Sequence, residues 1–344
     1  MKTRHLLSRD EFRTKVFQRD GGLCVVCKSP AVDAHHIMER RLFEDGGYYL
    51  DNGVSLCESH HLEVESTKLS TDLLRELAGI KDVILPEHLY GDIIYDKWAN
   101  IIQPNGTRLV GELFHDESVQ KILARDGALS EFAKYVKYPR TFHLPWSEKV
   151  GRDDCVMKNC LALSSSNVVV TLKLDGENTT MYRDYIHARS IESGSHPSRN
   201  WVKGLWSRTC YNIPEGWRIC GENMSTVHSI KYTDLASYFY VFSIWNEHNV
   251  CLSWKDTVEW AELLGLHVVP VLYEGAFNED MIKKCLPEKY DGNDTEGYIV
   301  RSSEEIRYGE FRTKAGKFVR KSFVPGHAHW AKQKHEKNQL SSRP

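Results

Sequence analysis

The sequence has no long apolar run. No stretch of about 18 apolar residues occurs anywhere in it, and the opening MKTRHLLSRDEF contains no apolar segment of the secretory kind. A membrane span and a signal peptide are therefore not expected, and a cytoplasmic setting is. Neither sign of charge is in excess. With 45 basic against 47 acidic side chains the net charge is -2, so any surface that grips phosphate must be a local patch. Repeats and low-complexity tracts are also missing, which excludes solenoid and fibrous architectures. A hydrophobic share of 41% can bury a core, and 344 residues exceed one typical domain, so two domains are expected. Nine cysteines, an odd number, do not form a disulfide framework in such a chain and point to thiols and metal ligation.

Three of those cysteines crowd together with histidines. Cys24-x2-Cys27 and Cys57-x2-His60 form two knuckles, each able to offer a pair of soft ligands from a tight turn, as a tetrahedral structural Zn²⁺ requires. Between and after them stand Asp33-Ala34-His35-His36-Ile37, Asn52 and His61. Over roughly residues 10–68 this order resembles the HNH nuclease module of the ββα-metal type. The resemblance implies that His35 and His61 hold a catalytic divalent metal, that His36 is the general base and that Asn52 holds the loop of that base. On the other reading, zinc only staples a nucleic-acid-binding module, and His35, His36 and His61 serve packing or surface roles. Beyond this block, Leu69, Leu73, Leu77 and Ile80 recur at helical spacing over 68–80.

The chemistry changes character downstream. The expected division is a zinc module over 1–80, a connecting subdomain over 81–135, a sheet-built domain over 136–330 and a basic tail over 331–344. From 168 the runs VVVTLKL, NTTMYR, DYIHARS, WRICGE, ASYFYVFSIW, VVPVLY, GYIVRS and KFVRK are short, β-branched and aromatic, as strands are. A helix is expected over 254–264, with Ser253 as N-cap, a Val258/Ala261/Leu264 stripe and Gly265 past its end; a second is expected over 279–286.

Lys173 ends the first of these runs, before Leu174-Asp175-Gly176-Glu177-Asn178. A K-x-D-G string alone is weak, but it has companions in order: Ala188-Arg189-Ser190, Cys220-Gly221-Glu222-Asn223, Tyr240-Val241-Phe242-Ser243, Thr295-Glu296-Gly297-Tyr298 and Lys317-Phe318-Val319-Arg320-Lys321. Together, over about 138–325, they resemble the motifs of the covalent nucleotidyltransferases, and most of all the ATP-dependent RNA ligases that seal 3′-OH/5′-phosphate ends. The fold implied is α+β, an antiparallel-sheet nucleotidyltransferase domain of the ATP-grasp-like ligase type, preceded by a zinc-bound ββα-metal domain.

The resemblance makes Lys173 the nucleophile toward ATP. It has Asp175 and Gly176 form the turn at the nucleotide, Arg189 hold a phosphate, Glu222 accept from ribose hydroxyls and Phe242 stack on adenine. Glu296 would bind Mg²⁺ or Mn²⁺, and Lys317, Arg320 and Lys321 would attend the phosphates. A lysine attacks as a free amine, so the site is expected to lower its pKa through burial and neighbouring cations. Two departures stand out: Val319 occupies the slot of a second motif lysine, and Ser243 stands where many relatives are acidic. The partner implied is nucleic acid, with RNA favoured. Few residues follow the last motif, which argues against an oligonucleotide-binding barrel after it. From 301 to 344, 11 basic residues face 4 acidic ones, a charge suited to phosphate. A nuclease-ligase and a non-catalytic end-binding protein are the alternatives.

Overall fold

The computed structural model describes residues 5–125, 127–194, 196–323 and 336–341. Contacts divide the chain into two units, Met1–Lys134 and Tyr135–Pro344. Among the described residues no helix is long and apolar enough to cross a membrane.

In the first unit, helix α1 (Arg9–Asp20) begins where Ser8 and Glu11 form a reciprocal capping box, and stops where Gly21 takes a φ of 69°. Its Phe12 and Val16 are buried against Ala34, Tyr48 and Leu50. Strands β1 (Asp33–His36) and β2 (Gly53–Leu56) pair antiparallel, with His35 opposite Val54 and His36 opposite Gly53. Helix α2 (Glu58–Glu65) follows β2 at once, with Cys57 as its N-cap residue. The order strand, strand, helix is thus realised.

Helix α3 (Thr71–Leu77) departs from the expected stripe. It is seven residues long, capped by Ser70, and buries Thr71, Leu74 and Arg75, while Leu73 and Leu77 are 36% and 39% exposed. The reason lies outside the helix. Thr71 Oγ1 donates to the Tyr95 carbonyl at 2.9 Å, and Leu74 packs with Val54, Leu56 and Val64, which together rotate the buried face by one residue. Helix α4 (Glu117–Arg125) buries Val119 and Leu123. The stretch from 81 to 134, expected as a connector, belongs to the first unit: Glu39 N donates to the Lys97 carbonyl at 3.0 Å, and Tyr95 and Ala99 pack with Met38 and Leu42.

The second unit is built from strands β3 (Phe142–His143), β4 (Asn167–Lys173), β5 (Glu177–Met181) and β6 (Ile186–Ala188), then helix α5 (Asn200–Thr209), β7 (Arg218–Asn223), β8 (Phe239–Trp245) and β9 (Val250–Cys251). Helix α6 (Trp254–Leu263), β10 (His267–Val268), β11 (Val271–Ala276), α7 (Glu279–Lys284), β12 (Gly297–Ser302), β13 (Ile306–Arg307) and β14 (Ala315–Val319) follow. One sheet has the order β13-β9-β8-β7-β5-β6, with β10 also beside β8; the other has the order β11-β4-β12-β14-β3. Pairing is antiparallel apart from β8 with β10 and β14 with β3. The fold is α+β, as expected.

Strand β4 is buried on both faces: Val168 and Val170 meet Leu144, Tyr298 and Val300, while Val169 and Leu172 meet Tyr240, Trp254 and Val269. That is why its sequence is an unbroken apolar run rather than an alternating one. Helix α6 is capped by Ser253, whose Oγ accepts from Asp256 N at 3.1 Å, and Gly265 beyond it has a φ of 66°.

The expected basic tail lies largely outside the described residues, and its described part is docked. Val227 N donates to the Glu336 carbonyl, Gln339 N to that of Tyr232 and Leu235 N to that of Gln339, at 2.9, 2.9 and 3.1 Å. Asn338 is 1% exposed; its Oδ1 accepts from Tyr232 N at 2.8 Å and its Nδ2 donates to the Met224 carbonyl at 2.8 Å. These six residues form a strap across the loop between β7 and β8.

The phase of α3 can be tested directly. Leu74→Ala is expected to cost about 2–5 kcal/mol, and Leu73→Ala less than about 1 kcal/mol, in denaturant unfolding of the first unit. Equal costs would return the helix to the other stripe.

Candidate functional site

β4 and β5 are consecutive in the chain yet belong to different sheets, so Leu174–Gly176 carries the backbone from one sheet to the other. Lys173 stands at that crossing. Gly176 is required there by closeness, since a Cβ would lie 2.6 Å from the Asn223 carbonyl oxygen and 2.7 Å from Met224 Sδ. Register then assembles the charges. Gly297 lies opposite Lys173 in β12, which brings Glu296 Oε1 to 2.6 Å from Lys173 Nζ, and Lys317 lies opposite Ile299 one strand further on.

A cleft of about 660 Å³ opens here, a size suited to a nucleotide. Lys173, Gly176, Arg189, Glu222, Phe242 and Lys317, all singled out in the sequence, line it. Glu222 Oε1 accepts from Gly176 N at 3.1 Å. Phe242 falls at an irregularity of the β7–β8 pairing, between Val241 and Ser243, and meets Tyr138 edge-on with ring centroids 5.0 Å apart. A bulge re-aims a side chain, and this one turns Phe242 toward the cleft. Ser243, the other departure, also lines it.

Three expected site residues are used differently. Asp175 braces its own turn: its Oδ2 accepts from Ser229 N and Ile230 N at 2.6 and 2.8 Å. Arg320 donates to the carbonyls of Pro287 and Glu288 at 2.9 and 3.1 Å. Lys321 is exposed, with its backbone N–H on Glu148 Oε2 at 2.9 Å. Val319 closes the β14 strand as a buried residue, leaving Lys317 as the strand's cation at the cleft.

The structure adds residues that carried no signal in the sequence. Asp154 Oδ1 pairs with Lys317 Nζ at 2.9 Å, and although burial works against its charge, that lysine holds its carboxyl down to about 2. Arg140 lines the same end of the cleft. Arg199 Nε donates to both Glu177 oxygens at 3.0 and 2.9 Å, and both residues line the cleft. Asp154 and Arg199 lie in no motif-like string, and only the tertiary fold brings them to the cleft.

The charge state of Lys173 reverses the expectation. Burial acts to lower its pKa, but Glu296, Glu222 and Asp175 outweigh it and hold the ammonium above the ordinary lysine range. Lys173 is therefore held as the ammonium by the carboxylates around it. Burial pushes the Glu222 carboxyl up to about 8 against the pull of Lys173, and raises Glu296 as well. Glu296 Oε2 is buried without a hydrogen-bond partner, so the carboxylate has an oxygen to offer a divalent cation.

In the first unit the two knuckles meet. Cys27 Sγ and Cys57 Sγ are 3.7 Å apart, and His60 Nδ1 is 3.2 Å from Cys57 Sγ and 3.5 Å from Cys24 Sγ. Tetrahedral bonds of about 2.3 Å from zinc to sulfur place two sulfurs about 3.8 Å apart, so this donor set fits the ion. A second cluster brings ligand atoms of Asp33, His35 and His61 within 4.8 Å of one another. His61 Nδ1 is 3.0 Å from Asp33 Oδ2, and a buried lysine, Lys97, enters the cluster. His36 is apart from them. It stacks on Phe12 with centroids 4.5 Å apart, meets Tyr48 edge-on, and its Nε2 is buried without a hydrogen-bond partner. Burial lowers its pKa to about 4. Asn52 Oδ1 accepts from Met38 N at 2.9 Å while its Nδ2 donates to the Met38 and Gly47 carbonyls, both at 3.1 Å, which ties down the loop after His36.

Residues 166–319, within the second unit, match the RNA ligase family model. No curated protein matches the chain. Among solved structures, a Naegleria gruberi RNA ligase mutant with ATP and Mn aligns at 14% identity over 55% of this chain, with a TM-score of 0.34, and the chain spans 61% of that protein. The Naegleria gruberi RNA ligase with PPi aligns at 14% identity over 91% of this chain and 81% of that one, with a TM-score of 0.38. An archaeal ATP-dependent RNA ligase aligns at 14% identity over 54% of this chain and 48% of that one, with a TM-score of 0.37.

The raised Glu222 carboxyl yields a stability prediction. Between its ordinary value of 4.5 and about 8 the unfolded chain has released this proton and the folded chain has not, so the group costs stability increasingly as pH rises. Glu222→Gln removes that cost. The melting temperature of the variant relative to wild type should climb from pH 5 to pH 8 and level off above; a constant difference across that range would refute the assignment.

Proposed function

We propose that the protein is an ATP-dependent RNA ligase that joins 3′-OH and 5′-phosphate ends through lysyl-AMP. The observation that carries this reading is the meeting of Lys173 and Lys317 in one cleft, with the buried Glu296 paired to Lys173, inside the segment that matches the RNA ligase family. Lys173 Nζ attacks the α-phosphorus of ATP: an N–P bond forms, the bond to the β-phosphate oxygen breaks, pyrophosphate leaves and the amine loses its proton. The AMP then passes to a 5′-phosphate end, and attack by a 3′-OH expels it as the strand is sealed.

The residues divide the work by position. Glu222 accepts from the ribose, Phe242 stacks on the base, and Lys317, Arg140 and Arg189 meet phosphate oxygens. Glu296 holds Mg²⁺ or Mn²⁺, which neutralises charge building on the phosphates. As ATP enters, Glu296 gives up its pairing with Lys173 and Lys317 leaves Asp154 for phosphate. With its carboxylate partner withdrawn and cations beside it, Lys173 loses its proton more readily and becomes a nucleophile. The ion pair therefore stores the lysine in an unreactive state until substrate arrives.

In the first unit, Cys24, Cys27, Cys57 and His60 hold a structural zinc, and the unit binds nucleic acid. Zinc at this place ties the turn at 24–27 to the start of α2, beside the core of Val25, Ile37, Val54 and Leu56.

Two measurements test the reading. Incubation with α-labelled ATP and Mg²⁺ followed by denaturing separation should leave label on wild-type protein and none on Lys173→Ala; label on both variants would displace the nucleophile, and label on neither, with intact mass showing no bound AMP, would end the ligase reading. Metal analysis of the purified chain should return one zinc, lost in Cys57→Ala together with several degrees of thermal stability in the first unit; retention of zinc in that variant would move the site elsewhere.

A further inference from the structure

The resemblance of the first unit to HNH modules implies a divalent ion between His35 and His61, and the side chains gathered there do not fit one. Lys97 occupies the place. Its Nζ lies 2.9 Å from His35 Nε2, 2.8 Å from Glu65 Oε1 and 3.4 Å from the His36 carbonyl oxygen, and the residue is 4% exposed. An ammonium has three N–H donors and no acceptor, so these three partners use all of it. Glu39 Oε2, 3.6 Å away, adds a second carboxylate. A buried charge needs such company, and here it has it.

The hydrogen bond to His35 decides the chemistry of the ring. A nitrogen that accepts from an ammonium has no lone pair left for a metal, and the neutral ring then carries its proton on Nδ1. That Nδ1 faces carboxylates, with Glu65 Oε1 at 3.7 Å and Asp33 Oδ2 at 4.0 Å. Nε2 is thus taken by the ammonium, while Nδ1 faces carboxylates beyond hydrogen-bond distance. An incoming dication would also meet a like charge a few ångströms away in a site with little water to screen it.

Lys97 is held in place by its own turn rather than by the cluster alone. Asp96 Oδ1 accepts from Trp98 N and Asn100 N, both at 2.9 Å, its Oδ2 accepts from Asn100 Nδ2 at 2.9 Å, and Ala99 takes a φ of 65° to close the turn. The Lys97 carbonyl accepts from Glu39 N at 3.0 Å, which fastens the turn to the segment just after β1. The proposed base points the same way: His36 is packed between Phe12 and Tyr48, on the face of β1 opposite His35.

We propose that Lys97 is the resident cation of the Asp33–His35–His61–Glu65 cluster, standing where a divalent metal would stand in a cleaving module, and that its removal opens a latent metal site. The first unit then lacks metal-dependent cleavage, and its histidine cluster is a closed ion-pair network.

The test counts metal on the zinc-loaded full chain. Mn²⁺ binding is measured by electron paramagnetic resonance for wild type, His61→Ala, Lys97→Met and the Lys97→Met/His61→Ala double variant, with zinc content and thermal melts recorded for each. Wild type and His61→Ala are expected to bind equal amounts of Mn²⁺. Lys97→Met is expected to bind one additional ion, and the double variant to lose it. An ion present in wild type and lost in His61→Ala overturns the proposal, as does a folded, zinc-bearing Lys97→Met chain that gains none. Should Lys97→Met fail to fold, the comparison of wild type with His61→Ala still decides. The count does not depend on ligase activity, so it stands apart from the reading of the second unit.

Discussion

The ion pair between Lys173 and Glu296 ties the architecture of the second unit to its chemistry. A lysine at the end of a strand buried on both faces is costly to charge, and an isolated carboxylate beside it equally so; at 2.6 Å each stabilises the other. The pair exists because β12 runs antiparallel to β4 with Gly297 opposite Lys173, a register that would slip if the apolar faces of either strand moved by one residue. The same strand pairs on its other edge with β14 and sets Lys317. Three charged groups are therefore placed by one strand.

A consequence is that several cations of the cleft are paired within it. Lys317 is matched by Asp154, Arg199 by Glu177 and Lys173 by Glu296, whereas Arg140 and Arg189 line the cleft without such a carboxylate among the described residues. The first unit shows the opposite solution with similar materials. Its soft donors converge without a carboxylate and fit zinc, whereas its hard donors converge around a lysine.

Much of the second unit was legible in the sequence because its strands are strongly patterned. Strand β4 read as an apolar run and is one; Lys173, Gly176, Arg189, Glu222, Phe242 and Lys317 lie where ordered short motifs put them, at the cleft. What failed to show was anything decided by distant partners. The stripe on α3 was displaced by one residue because Thr71 finds the Tyr95 carbonyl and Leu74 finds the core of another element. Asp175 turned out to hold the amides of Ser229 and Ile230, a role set by a loop more than fifty positions downstream. Asp154 has no local signature. Nor did Lys97, whose neighbours in sequence only describe a tight turn. Helix α5 went unnoticed because its buried side includes Val202 and Thr209 amid large aromatic residues that spoil a simple stripe.

The strap formed by residues 336–341 bears on how the protein is made. The turn after Lys173 is steadied by Ser229, Ile230 and Tyr232, and the loop that carries them is closed by Asn338 and its neighbours. A ribosome delivers Lys173 well before it delivers Asn338. Both sheets can pair while the chain is still emerging, but the turn acquires its last support only when Asn338 has left the exit tunnel. The cleft is thus completed after the framework that surrounds it, and a nascent chain holds Lys173 in an unfinished setting until then.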